Sequence, residues 1–186
     1  MRTFLFSISI ILFTAGNLYG QPEGFDRVSS FIPVGYSILD SASGNLNKDE
    51  YTDLVLILKF NNEDTIGDTA RPLLLLAGGQ NGWYKLLAKN DSVVLCKDCG
   101  GAFGDPYQGI TIKNGYFSIE HYGGSSWRWT RIITFKFNTI TKQFILHRDA
   151  GVSFHTADVD KTTDVILNKN HFGKLPFSKF SNDKYK

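Results

Sequence analysis

Charge of one sign is what this chain has least of. Its 20 basic and 18 acidic side chains leave a net charge of +2, and removing Arg2 with an N-terminal leader takes that toward +1. A nucleic-acid binder concentrates basic side chains on one face, so that class of partner is excluded. The densest basic group, Lys179, Lys184 and Lys186, sits at a chain end and reads as a solvated tail. Long apolar runs are also missing. Beyond residue 20 no stretch approaches the roughly 20 residues that a membrane-crossing helix needs. No mature segment sustains a 3.6-residue apolar period except a single turn after Pro176, and no internal repeat stands out from spacing. Catalytic signatures are absent: no Gly-x-Ser-x-Gly, no Ser-x-x-Lys, no His-Glu-x-x-His, no phosphate loop. The four histidines, His121, His147, His155 and His171, have no paired spacing of the kind zinc sites use.

What is present is an ordinary globular composition rich in aromatics. Of 186 residues, 42% are hydrophobic and 20% charged, with 15 Phe and 8 Tyr against one Met. That is enough for one domain with a core of its own. Aromatic side chains favour pleated, half-buried surfaces, so the composition leans toward β structure.

The first twenty residues have three parts: Met1-Arg2, an apolar run from Phe4 to Phe13, and Thr14 to Gly20. This is the layout of a secretory signal peptide, with cleavage expected after Gly20. Residues 21–186 then form a single mainly β domain in the periplasm or outside the cell. Gln21 as first mature residue resembles many exported proteins of the Bacteroidetes.

Turn residues recur every 8 to 15 positions between short apolar runs, the pattern of an all-β domain of antiparallel sheets, either a sandwich or partly propeller-like. Strands are expected at Tyr36 to Ala42, Asp53 to Phe60, Pro72 to Ala77, Trp83 to Ala88, Val93 to Leu95, Gly109 to Lys113, Tyr116 to His121, Trp127 to Phe137 and Lys142 to Arg148. Weaker strands are expected at Val152 to His155 and Asp164 to Leu167. The continuous runs DLVLILKF and PLLLLA read as central strands buried on both faces. Asn114-Gly115 is the strongest hairpin signal. Residues 61–70 and 96–107 read as loops.

Three segments carry candidate chemistry. In Gly44 to Leu54, oxygen-bearing side chains fall at Asn45, Asn47, Asp49 and Asp53, with the Tyr51 carbonyl filling the gap, a spacing that can wrap a hard cation. The segment resembles the calcium loop of FG-GAP and VCBS repeats, Asp-x-Asn-x-Asp-Gly-x-x-Asp-Leu followed by an apolar strand. The resemblance implies calcium on Asn45, Asn47, Asp49, Tyr51 (backbone) and Asp53. The chain departs from that pattern at Asn45, which replaces an Asp, and at Glu50, which replaces the turn glycine. Both changes weaken the expected affinity, to about 10⁻⁴ to 10⁻³ M. Read from the residues alone, the same segment is a turn held by Asx side chains bonding to their own backbone. No other cofactor is suggested.

The second segment is Cys96-Lys-Asp-Cys99-Gly-Gly. In an exported chain the default is a structural disulfide between Cys96 and Cys99. A redox role is the sharper alternative, though no helix is expected there to lower a thiol pKa. The third is Gly123-Gly-Ser-Ser-Trp127-Arg128-Trp129-Thr-Arg131. On an extended chain Trp127, Trp129 and Arg131 share one face and Arg128 takes the other. They read either as a ligand platform or as a core-capping ladder with Arg131 over Trp129. The second and third segments together, with the preceding loop, are similar to a group of uncharacterised exported bacterial proteins. That likeness implies a shared fold and supplies no activity. The expectation is an exported, non-enzymatic β domain for an unknown ligand or envelope component. The alternative is a protein that binds or hydrolyses envelope or extracellular glycan, with Asp105, Glu120 and His121 as its candidate groups. A thiol–disulfide protein is a third reading.

Overall fold

A computed structural model describes residues 23–182, so the proposed leader and the last lysines lie outside the described residues. Among the described residues nine strands form two antiparallel meanders. The first sheet holds β1 (Tyr36–Gly44), β2 (Asp53–Phe60), β3 (Arg71–Gly78) and β4 (Tyr84–Val94) in sequence order. The second holds β5 (Tyr107–Lys113), β6 (Tyr116–Gly124), β7 (Trp127–Asn138), β8 (Gln143–His155) and β9 (Asp158–Asn168), again in order. One apolar core unites them. Val55, Ile57, Leu73 and Leu75 from the first sheet pack with Phe117, Ile119, Ile133, Phe135, Phe144 and Leu146 from the second. The all-β expectation holds, in its sandwich form.

The two continuous apolar runs are explained by a third layer. Alternate residues of β2 and β3 point away from the shared core, and Leu56, Leu58, Leu74 and Leu76 form a second cluster there. Val28, Phe31 and Ile32 from the N-terminal segment cover it. That segment is fixed by a backbone pair in which Asp26 N–H donates to Tyr84 O at 2.7 Å and Tyr84 N–H to Asp26 O at 2.8 Å. Each fully buried aliphatic side chain contributes about 1.5–3 kcal/mol, so β2 and β3 anchor the fold from both faces.

The hairpin at Asn114-Gly115 forms as expected. Both residues take positive φ, 55° and 76°, which a tight turn between twisted strands requires. Elsewhere the structure joins pieces. The separate strands expected at 83–88 and 93–95 are one β4, and those at 142–148 and 152–155 are one β8. Small register shifts within both strands hid the continuity, because a bulge breaks the alternation that a sequence reading relies on. Residues 61–70, expected as loop, include a single helical turn, α1 (Glu63–Ile66). Another turn, α2 (Lys169–Phe172), follows β9 and is capped by the Asn168 side chain. After Pro176 comes one 3-10 turn, Phe177–Lys179. Phe177 and Phe180 plug the core, and Asn90 Nδ2 holds their carbonyls at 2.6 and 3.0 Å. Among the described residues no helix is long and apolar enough to cross a membrane.

Candidate functional site

The loop between β1 and β2 is closed on itself. Asp53, fully buried, accepts from Leu46 N–H (2.7 Å), Asn47 N–H (2.9 Å) and Gly78 N–H (3.1 Å). Gly78 has to be glycine: a Cβ there would sit 2.1 Å from Thr52 O. Burial raises the Asp53 pKa, and the Asn47, Leu46 and Gly78 amides pull against that rise. Asn45 Oδ1 accepts from Lys48 N–H, Asn47 Oδ1 from Asp49 N–H, and Asp49 Oδ1 from Tyr51 N–H. The Asn45 amide also donates to Asp49 O. These are Asx turns, each side chain serving the backbone beside it. One feature fits a cation. The Asn47 amide nitrogen donates to Asp49 Oδ2 at 2.6 Å and to Asp53 Oδ1 at 3.2 Å, so two carboxylates converge on one hydrogen-bond donor. Carboxylate and carboxamide oxygens are the donors a hard cation takes, and Asn47, Asp49 and Asp53 are the residues that would hold it. Asn45 is bonded instead to Lys48 N–H and Asp49 O, and the Tyr51 backbone turns its N–H to Asp49 Oδ1.

A second polar centre braces the 96–107 loop. Arg71 is completely buried. Its guanidinium makes paired bonds to Glu63 (3.1 and 2.9 Å) and to Asp105 (both 2.7 Å), and it reaches Leu95 O at 3.4 Å. Burial pushes the Asp105 carboxyl up, but the Arg71 and Tyr107 N–H bonds outweigh it and hold the group below the usual carboxylate range. Asp105 is therefore a structural anchor.

The open feature is a cleft of about 740 Å³, within the range of small-molecule sites. It lies where the core gives out. In β7 the core residues start at Ile133, and in β8 they stop at Leu146. Continuing the same inward face gives Arg131 and Trp129 on β7, paired with Gly151 and Ser153 on β8. Asp149, Val165 and the segment at Ser92 to Cys99 complete the walls. Trp129 is held by a cross-strand gap. It pairs with Gly123, and a Cβ at that position would lie 2.6 Å from the indole ring. Arg131 is clamped by Asp149 at 2.8 and 2.6 Å and by Asn182 Oδ1 at 2.7 Å. Its guanidinium lies 5.9 Å from the Phe180 ring, so the partner of Arg131 is Asp149 and not the Trp129 face.

The four residues of the third segment part company here. Trp129 and Arg131 line the cleft. Trp127 is 48% exposed and meets His155 edge-on at 5.2 Å. Arg128 turns to the other face, over Phe103 at 3.8 Å and bonded to Tyr122 Oη at 3.0 Å. The Cys96–Cys99 disulfide is formed, and both cysteines border the cleft. Of the groups named for hydrolysis, Asp105 is engaged by Arg71, Glu120 bonds Thr111 Oγ1 at 3.0 Å, and His121 is buried. His121 Nε2 accepts from Leu95 N–H at 3.2 Å, and burial beside Arg131 lowers its pKa to about 4.

Asp149 and Asp68 were not legible as cleft residues. Asp149 sits at the inward register opposite Ile133, which only a continuous β8 reveals. Asp68 follows α1, in a stretch that reads as plain loop.

These features define a two-sheet antiparallel sandwich with a largely apolar cleft, lined in part by Trp129 and the Arg131–Asp149 pair, at one end of its core. Comparison with protein-family models, curated proteins and solved structures gave no match to this chain.

Proposed function

We propose that this chain is an exported binding module, and that the cleft beside Trp129 takes a glycan of the cell envelope or extracellular space. The observation that carries this reading is the lining of the cleft: one indole, the Arg131–Asp149 pair and hydroxyls such as Ser153, in a space of about 740 Å³. An indole offers a flat apolar face for a sugar ring, and the fixed charges offer hydrogen bonds to its hydroxyls. A binding role is favoured over hydrolysis because Asp105 and His121 are engaged inside the fold and Glu120 bonds a neighbouring strand. Export is supported by the leader-like start of the sequence and by the disulfide. Calorimetric titration with soluble peptidoglycan fragments and acidic oligosaccharides tests the reading. Trp129→Ala is expected to weaken binding about tenfold or more, while Trp127→Ala leaves it near the parent value. Equal affinity in Trp129→Ala, or no binding to any fragment, rejects it.

A second reading adds to the first: the β1–β2 loop is stabilised by calcium. The convergence of Asp49 and Asp53 on the Asn47 amide favours it. The resemblance to FG-GAP and VCBS loops points the same way.

A further inference from the structure

We propose that Cys96, Cys99 and Asp68 form a thiol–disulfide exchange site at the edge of the cleft, reacting with a dithiol partner. This goes beyond the glycan reading and does not depend on it.

The disulfide spans a sequence separation of only 3, so it constrains the unfolded chain very little. Nor does the loop need it. Leu95 N–H is held by His121, Leu95 O and Asp105 by Arg71, and Gly100 N–H by Gly104 O at 2.8 Å. On the far side Ala102 N–H donates to Gly124 O at 3.1 Å, and Tyr122 N–H to Pro106 O at 2.8 Å. A bond that is dispensable for the fold is free to react.

The two sulfurs are unequal. Cys99 is exposed and Cys96 is half-buried. Asp68 Oδ1 lies 3.0 Å from Cys96 Sγ. In the disulfide that sulfur carries no proton, so the approach is a contact with a hydrogen-bond acceptor that has nothing to accept. Opening the bond supplies the missing proton. The three ligand-type atoms of Asp68, Cys96 and Cys99 all fall within 4.8 Å of one another.

The chemistry follows from that asymmetry. A partner thiolate attacks the exposed Cys99 Sγ. The Cys99–Cys96 bond breaks, a bond from Cys99 to the partner forms, and Cys96 leaves as thiolate. Cys96 takes a proton from water and donates it in a hydrogen bond to Asp68. The partner's second thiolate then attacks its own sulfur in the mixed disulfide and releases Cys99 as thiolate, which takes up a proton. The partner ends as a disulfide and this chain as a dithiol. In reverse, Asp68 takes the Cys96 proton as Cys96 attacks the mixed disulfide.

The test places the purified protein in glutathione buffers of stepped ratio, with the dithiol fraction read by thiol labelling and intact mass. The bond is expected to open reversibly without unfolding the domain. Cys96→Ser is expected to trap a glutathione adduct on Cys99. Asp68→Ala, which removes the acceptor for the reduced form, is expected to shift the equilibrium about fivefold toward the disulfide. A bond that stays closed throughout, or one whose reduction unfolds the domain in circular dichroism, overturns the proposal. An unchanged equilibrium in Asp68→Ala overturns the assignment of Asp68.

Discussion

The β1–β2 loop and the cleft are both crowded with polar side chains, yet they use them in opposite ways. In the loop, Asn45, Asn47, Asp49 and Asp53 accept from the loop's own amides. In the cleft, Trp129, Arg131 and the disulfide border open space, each held from behind by something else. Gly123 seats the indole, Asp149 clamps the guanidinium, and Arg71 braces the cysteine loop. The difference is where the anchoring comes from. A polar group that anchors its own backbone is engaged; a polar group anchored by a neighbour keeps a face for a ligand.

Equivalent truncations at the two places test that contrast, and the largest effect is expected in the loop. Asp53→Ala leaves the amides of Leu46, Asn47 and Gly78 without their acceptor, two of these bonds being buried. Each unmet buried donor costs about 1–3 kcal/mol, so urea denaturation is expected to show a loss of about 4 kcal/mol. Asp68→Ala at the cleft edge, where the carboxylate is exposed, is expected to change stability by less than about 0.5 kcal/mol. Similar losses at both positions would erase the distinction.

The next effect is a pH dependence from behind the cleft wall. His121 has a folded pKa of about 4, depressed by burial, against an ordinary 6.5. The unfolded chain therefore binds a proton that the folded chain refuses, and stability falls as pH drops from about 6.5 toward 4. Linkage puts the total near 3 kcal/mol. Asp53, whose pKa is raised, works in the opposite sense at the acid end of that window. Denaturation curves at stepped pH should show the decline, and His121→Gln should flatten it. A wild-type curve with no slope above pH 5 contradicts the buried neutral imidazole.

How much of this was readable beforehand follows from the same contrast. Local signals were legible: the apolar runs of β2 and β3, the Asn114-Gly115 turn, the pairing of Cys96 with Cys99, and the split of Arg128 from Trp129 and Arg131, though not the departure of Trp127 from that pair. Each depends on residues near one another in sequence. Long-range partners were not. Arg71 opens an apolar run, and nothing near it announces Glu63 and Asp105 as its partners. Asp149 becomes a cleft residue only through pairing with β7, and Asn182 only because the chain returns across the core to meet Arg131. The loop's signal was legible as a pattern but ambiguous in use, since Asx turns and cation sites draw on the same side chains.

Calcium sharpens that last point and carries the smallest effect. If the ion binds with an affinity near 10⁻³ M, as about two formal charges imply, calcium at ten times that level adds about 1.4 kcal/mol. For a domain of this size that raises the melting temperature by about 3–5 °C. Asp49→Ala removes one of the converging carboxylates without touching buried Asp53. It is expected to cost about 1 kcal/mol by freeing Tyr51 N–H, and to abolish the calcium response. Magnesium is the control. It prefers closer, more strictly octahedral oxygens and gives up its water reluctantly, so a loop built around Asn and Asp side chains should respond to it less. A shift that survives Asp49→Ala would place the ion elsewhere. The absence of any shift would leave a loop held by its own hydrogen bonds, with the Asn47 amide donating to Asp49 and Asp53.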